Sequence, residues 1–339
     1  MDLEALFLSM VRMRRAEEIS AAWWRNGLIS GEYHSGVGEE GVAAGVVDHL
    51  DDRDALALDH RPTPAMLARG VDPKGILSEL LGSPDGLCGG NGGHMHLADP
   101  DRRVVADGIV GASAPLACGF AFDAQLAGEG GVAVAFFGEG ASNQGMLLES
   151  LNLSVVWRLP VVFVCKESGL AITTRRSRGT GADLVRRARG FGMPARRLPG
   201  WDVEQVWRGA RKAIDRARAT HGPSFLVIRV RRPEGHLLAD PLLRIIDDPR
   251  GQVELLIPPL IDSLRHSSPA RPIDRVRAVG SLALSSVTAV KERVVSRLDP
   301  LEVSRRRLGD ERADPLVARA RAEIDRARDL SLATMETGT

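Results

Sequence analysis

A chain of 339 residues, 44% of them hydrophobic, is long enough to bury one large core or two small ones. Its formal net charge of +1 excludes a field strong enough to make nucleic acid or a membrane surface the main partner. The three cysteines, Cys88, Cys118 and Cys165, are odd in number and widely spaced among small or apolar neighbours, which argues for buried thiols and against a disulfide framework or zinc site.

The first residues, Met1-Asp2-Leu3-Glu4, carry no basic lead into an apolar run, and no stretch reaches membrane-spanning length, so a soluble cytoplasmic protein is expected. Helical spacing of apolar residues predicts a long helix from Leu3 to Asn26, stopped by Gly27. A glycine-rich stretch from Gly31 to Gly45 leads into helix-like sequence to Leu50, and Asp51 to Asp54 reads as a turn. A helix follows over Pro73–Leu81, then a breaker-dense loop from Gly82 to Gly93. The small, apolar residues from Gly111 to Leu126 suit a helix packed close to a sheet, and Val132 to Phe137 fits a strand buried on both faces. A helix over Gln144–Trp157 and a second buried strand, Val161–Cys165, complete a strand, helix, strand unit. A helix from Val203 to Arg218 and a strand from Ser224 to Val230 continue it, so the sheet is expected to be mostly parallel, with ligands beyond its carboxyl edge. The expected organisation is an N-terminal helix (1–30), an α/β domain (31–241), a helical insertion (242–298) and a C-terminal helical segment (299–339) with a helix over Leu316–Leu330 and a frayed end from Ala333.

The chemistry concentrates where the first buried strand meets Gly138-Glu139-Gly140. A glycine-flanked carboxylate at a strand exit and helix entrance can hold a hard cation, while the backbone N–H groups of Gly138, Gly140 and Ala141 face a phosphate. Mg²⁺ takes oxygen ligands and shares them with phosphate, so further oxygens should come from the next strand exit, where Ser168 and the Leu170 carbonyl lie. Alone, such a turn reads more readily as a tight bend with a solvent-facing glutamate. The surrounding residues decide it.

The string Phe136-Phe137-Gly138-Glu139-Gly140-Ala141-Ser142-Asn143-Gln144-Gly145, continued by Glu149 to Leu153, Trp157 to Pro160 and Val162 to Cys165, closely resembles the thiamine diphosphate (ThDP) motif of the alpha subunits of pyruvate-type, branched-chain and acetoin dehydrogenases. Leu28 to Gly45 is similar to that family's G-x-x-H-x-x-x-G-Q-E-A, with His34, Gly38 and Glu40 in place. Gly89 to Asp99, Asp107 to Ala112, and Gly235-His236 followed by Asp240-Pro241 match further family motifs, so the resemblance covers roughly residues 5 to 241. It implies a ThDP-binding α/β fold and a heterotetramer of two alpha and two beta subunits. It also implies a small 2-oxo acid or ketose donor, and a lipoyl or acyl carrier protein as acceptor. Glu139, Ser168 and the Leu170 carbonyl would hold Mg²⁺, Gly108 and Val110 would meet the aminopyrimidine, and Arg61 and His236 would neutralise the diphosphate.

Three departures from the family stand out. Glu139 replaces an aspartate and Ser168 an asparagine, which implies weaker or altered metal binding. In His60-Arg61-Pro62-Thr63, Thr63 replaces a histidine tied to acyl transfer, and a hydroxyl cannot carry a proton near neutral pH as imidazole can. His60, His236 and His34 are therefore the candidate catalytic residues. His94-Met95-His96 reads as loop hydrogen bonding, because no third metal ligand accompanies it. The leading expectation is acyl transfer from a 2-oxo acid, extending to specialised biosynthesis. Transketolase-like carboligation and a non-catalytic scaffolding relative are the alternatives.

Overall fold

The computed structural model describes residues 1–172, 174–220, 222–238 and 298–337. The chain opens with α1 (Leu3–Arg25), capped by the Asp2 carboxylate, which accepts from the N–H groups of Glu4 and Ala5. There follow α2 (Glu40–Val47), β1 (Ala55–Leu58), α3 (Thr63–Ala68), α4 (Pro73–Leu80), β2 (Ala98–Asp99), β3 (Val104–Ala106) and α5 (Ser113–Ala127). Next come β4 (Ala133–Gly138), a 3₁₀ turn over Ala141–Asn143, α6 (Gly145–Val156), β5 (Val161–Glu167), β6 (Leu170–Ala171), β7 (Thr174–Arg175) and the single turn α7 (Arg176–Gly179). The chain continues through α8 (Leu184–Gly190), β8 (Ala195–Pro199), α9 (Val203–Thr220) and β9 (Ser224–Arg229), then α10 (Pro300–Leu308) and α11 (Asp310–Thr337).

Seven strands form one sheet in the order β2-β3-β1-β4-β5-β9-β8, parallel throughout except for β2 against β3. The expected mostly parallel α/β architecture is what the chain adopts. Alternate strand residues feed two cores. Leu56, Leu58, Val134, Phe136, Val162, Val164, Leu226 and Ile228 point to the face covered by α1, α2 and α9. Ala57, Ala133, Ala135, Phe163 and Cys165 point to the other face. There the alanines of β1 and β4 meet Ala114, Ala117 and Ala121 of α5, and small side chains on both partners let the helix approach closely.

The long first helix, the helix over 73–80 and the central strands lie within a residue or two of the sequence reading, the usual uncertainty of element ends. Two expectations need correction. Cys88 is only partly buried, unlike Cys118 and Cys165, because it sits in the glycine-rich loop, where its Sγ donates to the His96 carbonyl at 3.4 Å. The C-terminal helix runs on through Ala333 to Thr337, and Ser331 ties it to α4 through a hydroxyl contact with Ser78 at 3.1 Å. The insertion expected over 242–298 lies outside the described residues apart from its last position. Among the described residues, no helix is long and apolar enough to cross a membrane.

Candidate active site

The exits of β1, β3, β4, β5 and β9 share one edge of the sheet and surround a cavity of about 390 Å³. Strand order alone brings together residues far apart in sequence: Asp59 and His60 after β1, Gly108 and Val110 after β3, Gly138 to Ala141 after β4, Leu170 after β5 and Arg232 after β9. His34 and His236 complete the lining from loops.

On one side three oxygens converge. The Ser168 hydroxyl lies 3.1 Å from Glu139 Oε1 and 3.0 Å from the Leu170 carbonyl, and the Ser168 N–H donates to Glu139 Oε2 at 3.2 Å. Glu139 is 2% exposed, and its own carbonyl accepts the Ser142 hydroxyl at 2.5 Å. Gly169 makes the turn that returns the Leu170 carbonyl to this cluster, with a φ of +93° that side chains rarely adopt. A Cβ on Gly140 would sit 2.9 Å from the Ala171 Cβ, so glycine is required for that close approach. A carboxylate, a hydroxyl and a carbonyl fit the all-oxygen ligand preference of Mg²⁺. Glu167 turns the other way, to Arg176 and Arg197, each at 3.3 Å.

Beneath the oxygens lies a buried ionic network. Lys166 Nζ donates to Glu39 Oε2 at 2.5 Å and to Asp59 Oδ1 at 2.9 Å, and Arg232 Nε donates to Glu39 Oε1 at 2.9 Å. Burial opposes the Glu39 charge, but Lys166 and Arg232 outweigh it and lower its pKa. Burial likewise opposes the charge of Arg232, and Glu39, Glu139 and Asp59 reverse that effect, raising its pKa. Arg232 Nη1 reaches the Ser168 hydroxyl at 3.4 Å, so this guanidinium faces the cavity beside the oxygen cluster. Arg61 does not line the cavity. It lies behind His236, donating to the Ser35 carbonyl at 2.5 Å and to the His236 carbonyl.

The opposite side is imidazole. The ring of His34 stands 4.8 Å from that of His60 and 5.1 Å from that of His236, and His34 Nδ1 and His94 Nε2 share a hydrogen bond at 3.0 Å. Burial, followed by the nearby Arg61 charge, pushes the pKa of His34 and His236 down to about 3 and that of His94 to about 4, and lowers that of His60 as well. All four rings are neutral at pH 7. Thr63 is not among the residues lining the cavity: it is 2% exposed and begins α3, under Tyr33. Glu40 also faces elsewhere, pairing with Arg14 at 2.6 Å.

The sequence reading brought Glu139, Ser168, Leu170, Gly108, Val110, His34, His60 and His236 to one place, and missed Arg232, Asp59, Lys166 and Glu39; His94, read as loop hydrogen bonding, is bonded to His34. Asp59 and Arg232 follow strand exits on the same edge as Glu139, so the strand-end rule that selected Glu139 points to them too.

The family model described as "Dehydrogenase E1 component" matches residues 8–244. The chain is 42% identical over 240 residues to the alpha subunit of acetoin:2,6-dichlorophenolindophenol oxidoreductase from Cupriavidus necator, covering 70% of this chain and 72% of that one. It is 39% identical over 237 residues to the same-named subunit from Bacillus subtilis, covering 69% and 71%. To the pyruvate dehydrogenase E1 component subunit alpha of Zymomonas mobilis it is 37% identical over 243 residues, covering 71% and 69%.

Proposed function

The chain belongs to the dehydrogenase E1 component family, and from that premise we propose that it is the alpha subunit of a ThDP-dependent enzyme acting on a small 2-oxo acid or acetoin-like donor in the cytoplasm. The observation that carries this reading is the meeting of Glu139, Ser168 and the Leu170 carbonyl beside a buried arginine, where Glu139, Leu170 and Arg232 line a cavity at the carboxyl edge of a parallel sheet. In this reading the three oxygens hold Mg²⁺. Arg232 neutralises the diphosphate from the β9 side, Arg61 reinforces the charge from behind His236, and the neutral His236 ring can offer the diphosphate a hydrogen bond but no charge. Gly108 and Val110 offer backbone groups to the aminopyrimidine. When bound, ThDP supplies the nucleophilic carbon and the electron sink for loss of CO₂. The neutral rings of His34, His60 and His236 line the donor side, where a neutral imidazole can accept or return a proton at its nitrogen. In this reading Thr63, folded away under Tyr33, leaves acyl transfer to a lipoyl or carrier-protein acceptor to His60, which lines the cavity.

A beta-type subunit completes the site. Ile109, Val110 and Ile172 at the cavity rim are 61%, 50% and 58% exposed, an apolar opening suited to burial against a partner. Calorimetry with ThDP and Mg²⁺ on the chain co-expressed with that subunit should show saturable binding of both together, and no binding would sink the reading. Turnover that requires an added lipoyl acceptor distinguishes acyl transfer from simple carboligation.

A further inference from the structure

At the opposite edge of the sheet from β2, a groove of about 710 Å³ runs over β8 between α8 and α9. Arg186 and Arg189 of α8, Arg196 of β8, and Lys212 and Arg216 of α9 line it. The single acid of the lining is Asp183, already engaged by Arg197 Nη2 at 2.8 Å. Arg186, Arg189, Arg196 and Lys212 form no ion pair among the described residues. In a chain whose formal net charge is +1, such a local excess of cations is an attractive field for an anion. Ser224, at the start of β9 one strand in from the edge, gives an independent sign. It is 3% exposed, it lines the groove, and its hydroxyl has no hydrogen-bond partner. A buried hydroxyl left without a partner is uncommon unless something absent from the chain itself satisfies it.

We propose that this groove binds a phosphorylated small molecule, with phosphoryl oxygens on Arg186, Arg196, Lys212 and the Ser224 hydroxyl and a carbon body against Val185 and Pro194. The volume falls in the range of small-ligand pockets, roughly 300–1,000 Å³. A concave site with a recessed hydroxyl suits a small anion that can enter it better than the acidic surface of a protein.

The test is calorimetric titration of the complex with its beta-type subunit, already saturated with ThDP and Mg²⁺, using inorganic phosphate and then ADP as probes. Saturable binding of either probe is expected, with ADP binding tighter if the ligand is a nucleotide and equal binding if the phosphoryl group alone is read. The double charge reversal Arg196→Glu/Lys212→Glu should weaken binding at least tenfold while ThDP affinity is unchanged. If that variant fails to fold, the milder Ser224→Ala should weaken binding several-fold. No saturable binding of either probe, binding untouched by these substitutions, or binding of a polyglutamate peptide in place of both probes would overturn the proposal.

Discussion

Beneath the oxygen cluster, Glu39, Asp59, Lys166 and Arg232 are buried as ions and hold one another at 2.5 to 2.9 Å. Across the cavity, His34 is buried and His60, His94 and His236 are half-buried, all under the influence of Arg61, and they meet these surroundings without their protons. Pairing preserves charge that can be aimed at an anion or a cation. Shedding the proton leaves groups that can still accept one during a reaction. The two sides should therefore fail differently when disturbed.

The largest effect is expected from Lys166→Met, which leaves the Asp59 carboxylate without its cation and Glu39 with one fewer. Removing one partner of a buried ionic network typically costs about 3–5 kcal/mol, read as a fall in the midpoint of denaturant unfolding. Adding Glu39→Gln to Lys166→Met should recover part of that loss, because the second charge leaves with the first; an additive double variant would show that the two are not coupled. A smaller change is expected in the oxygen cluster. Ser168→Ala should weaken Mg²⁺-dependent ThDP binding about tenfold, equivalent to about 1.4 kcal/mol. The pair Glu139→Asp/Ser168→Asn should bind more tightly than either single variant, since the longer glutamate and shorter serine meet at 3.1 Å as a matched couple.

The smallest effect tests the imidazole side. The folded-state pKa of His94 is lowered from 6.5 to about 4, so between these values the unfolded chain binds the proton and the folded chain does not. Stability from this ring is complete above pH 6.5 and declines as pH falls toward 4. His94→Asn should flatten the acid limb of stability against pH by on the order of 1 kcal/mol between pH 7 and 5, and an unchanged limb would show that the ring takes up its proton in the fold as it does in the unfolded chain.

Much of this was legible in the sequence because a strand buried on both faces leaves a continuous apolar run. Val132 to Phe137 and Val161 to Cys165 carry it, and their shared edge then places Glu139 beside Ser168. Ala55–Leu58 was missed because four apolar residues between Asp54 and Asp59 fit a strand or a helical turn equally well. Ala195–Pro199 was missed because an edge strand carrying Arg196, Arg197 and a proline has no apolar run to display. Pro62 and Pro64 sit at the cap and first turn of α3, where a missing N–H is tolerated. The imidazole cluster depends on loops from four parts of the chain meeting, and no local pattern encodes that. Arg232 carries no motif of its own, and only its place just after β9 marks it.

The Lys166–Glu39–Arg232 chain also constrains how this protein can change over generations. Each member answers for the charge of another, so a single replacement at any of the three strands an ion in the interior. A lineage can leave this arrangement only through coordinated replacements or by crossing a poorly folded intermediate. Related chains should therefore differ at positions 39 and 166 together.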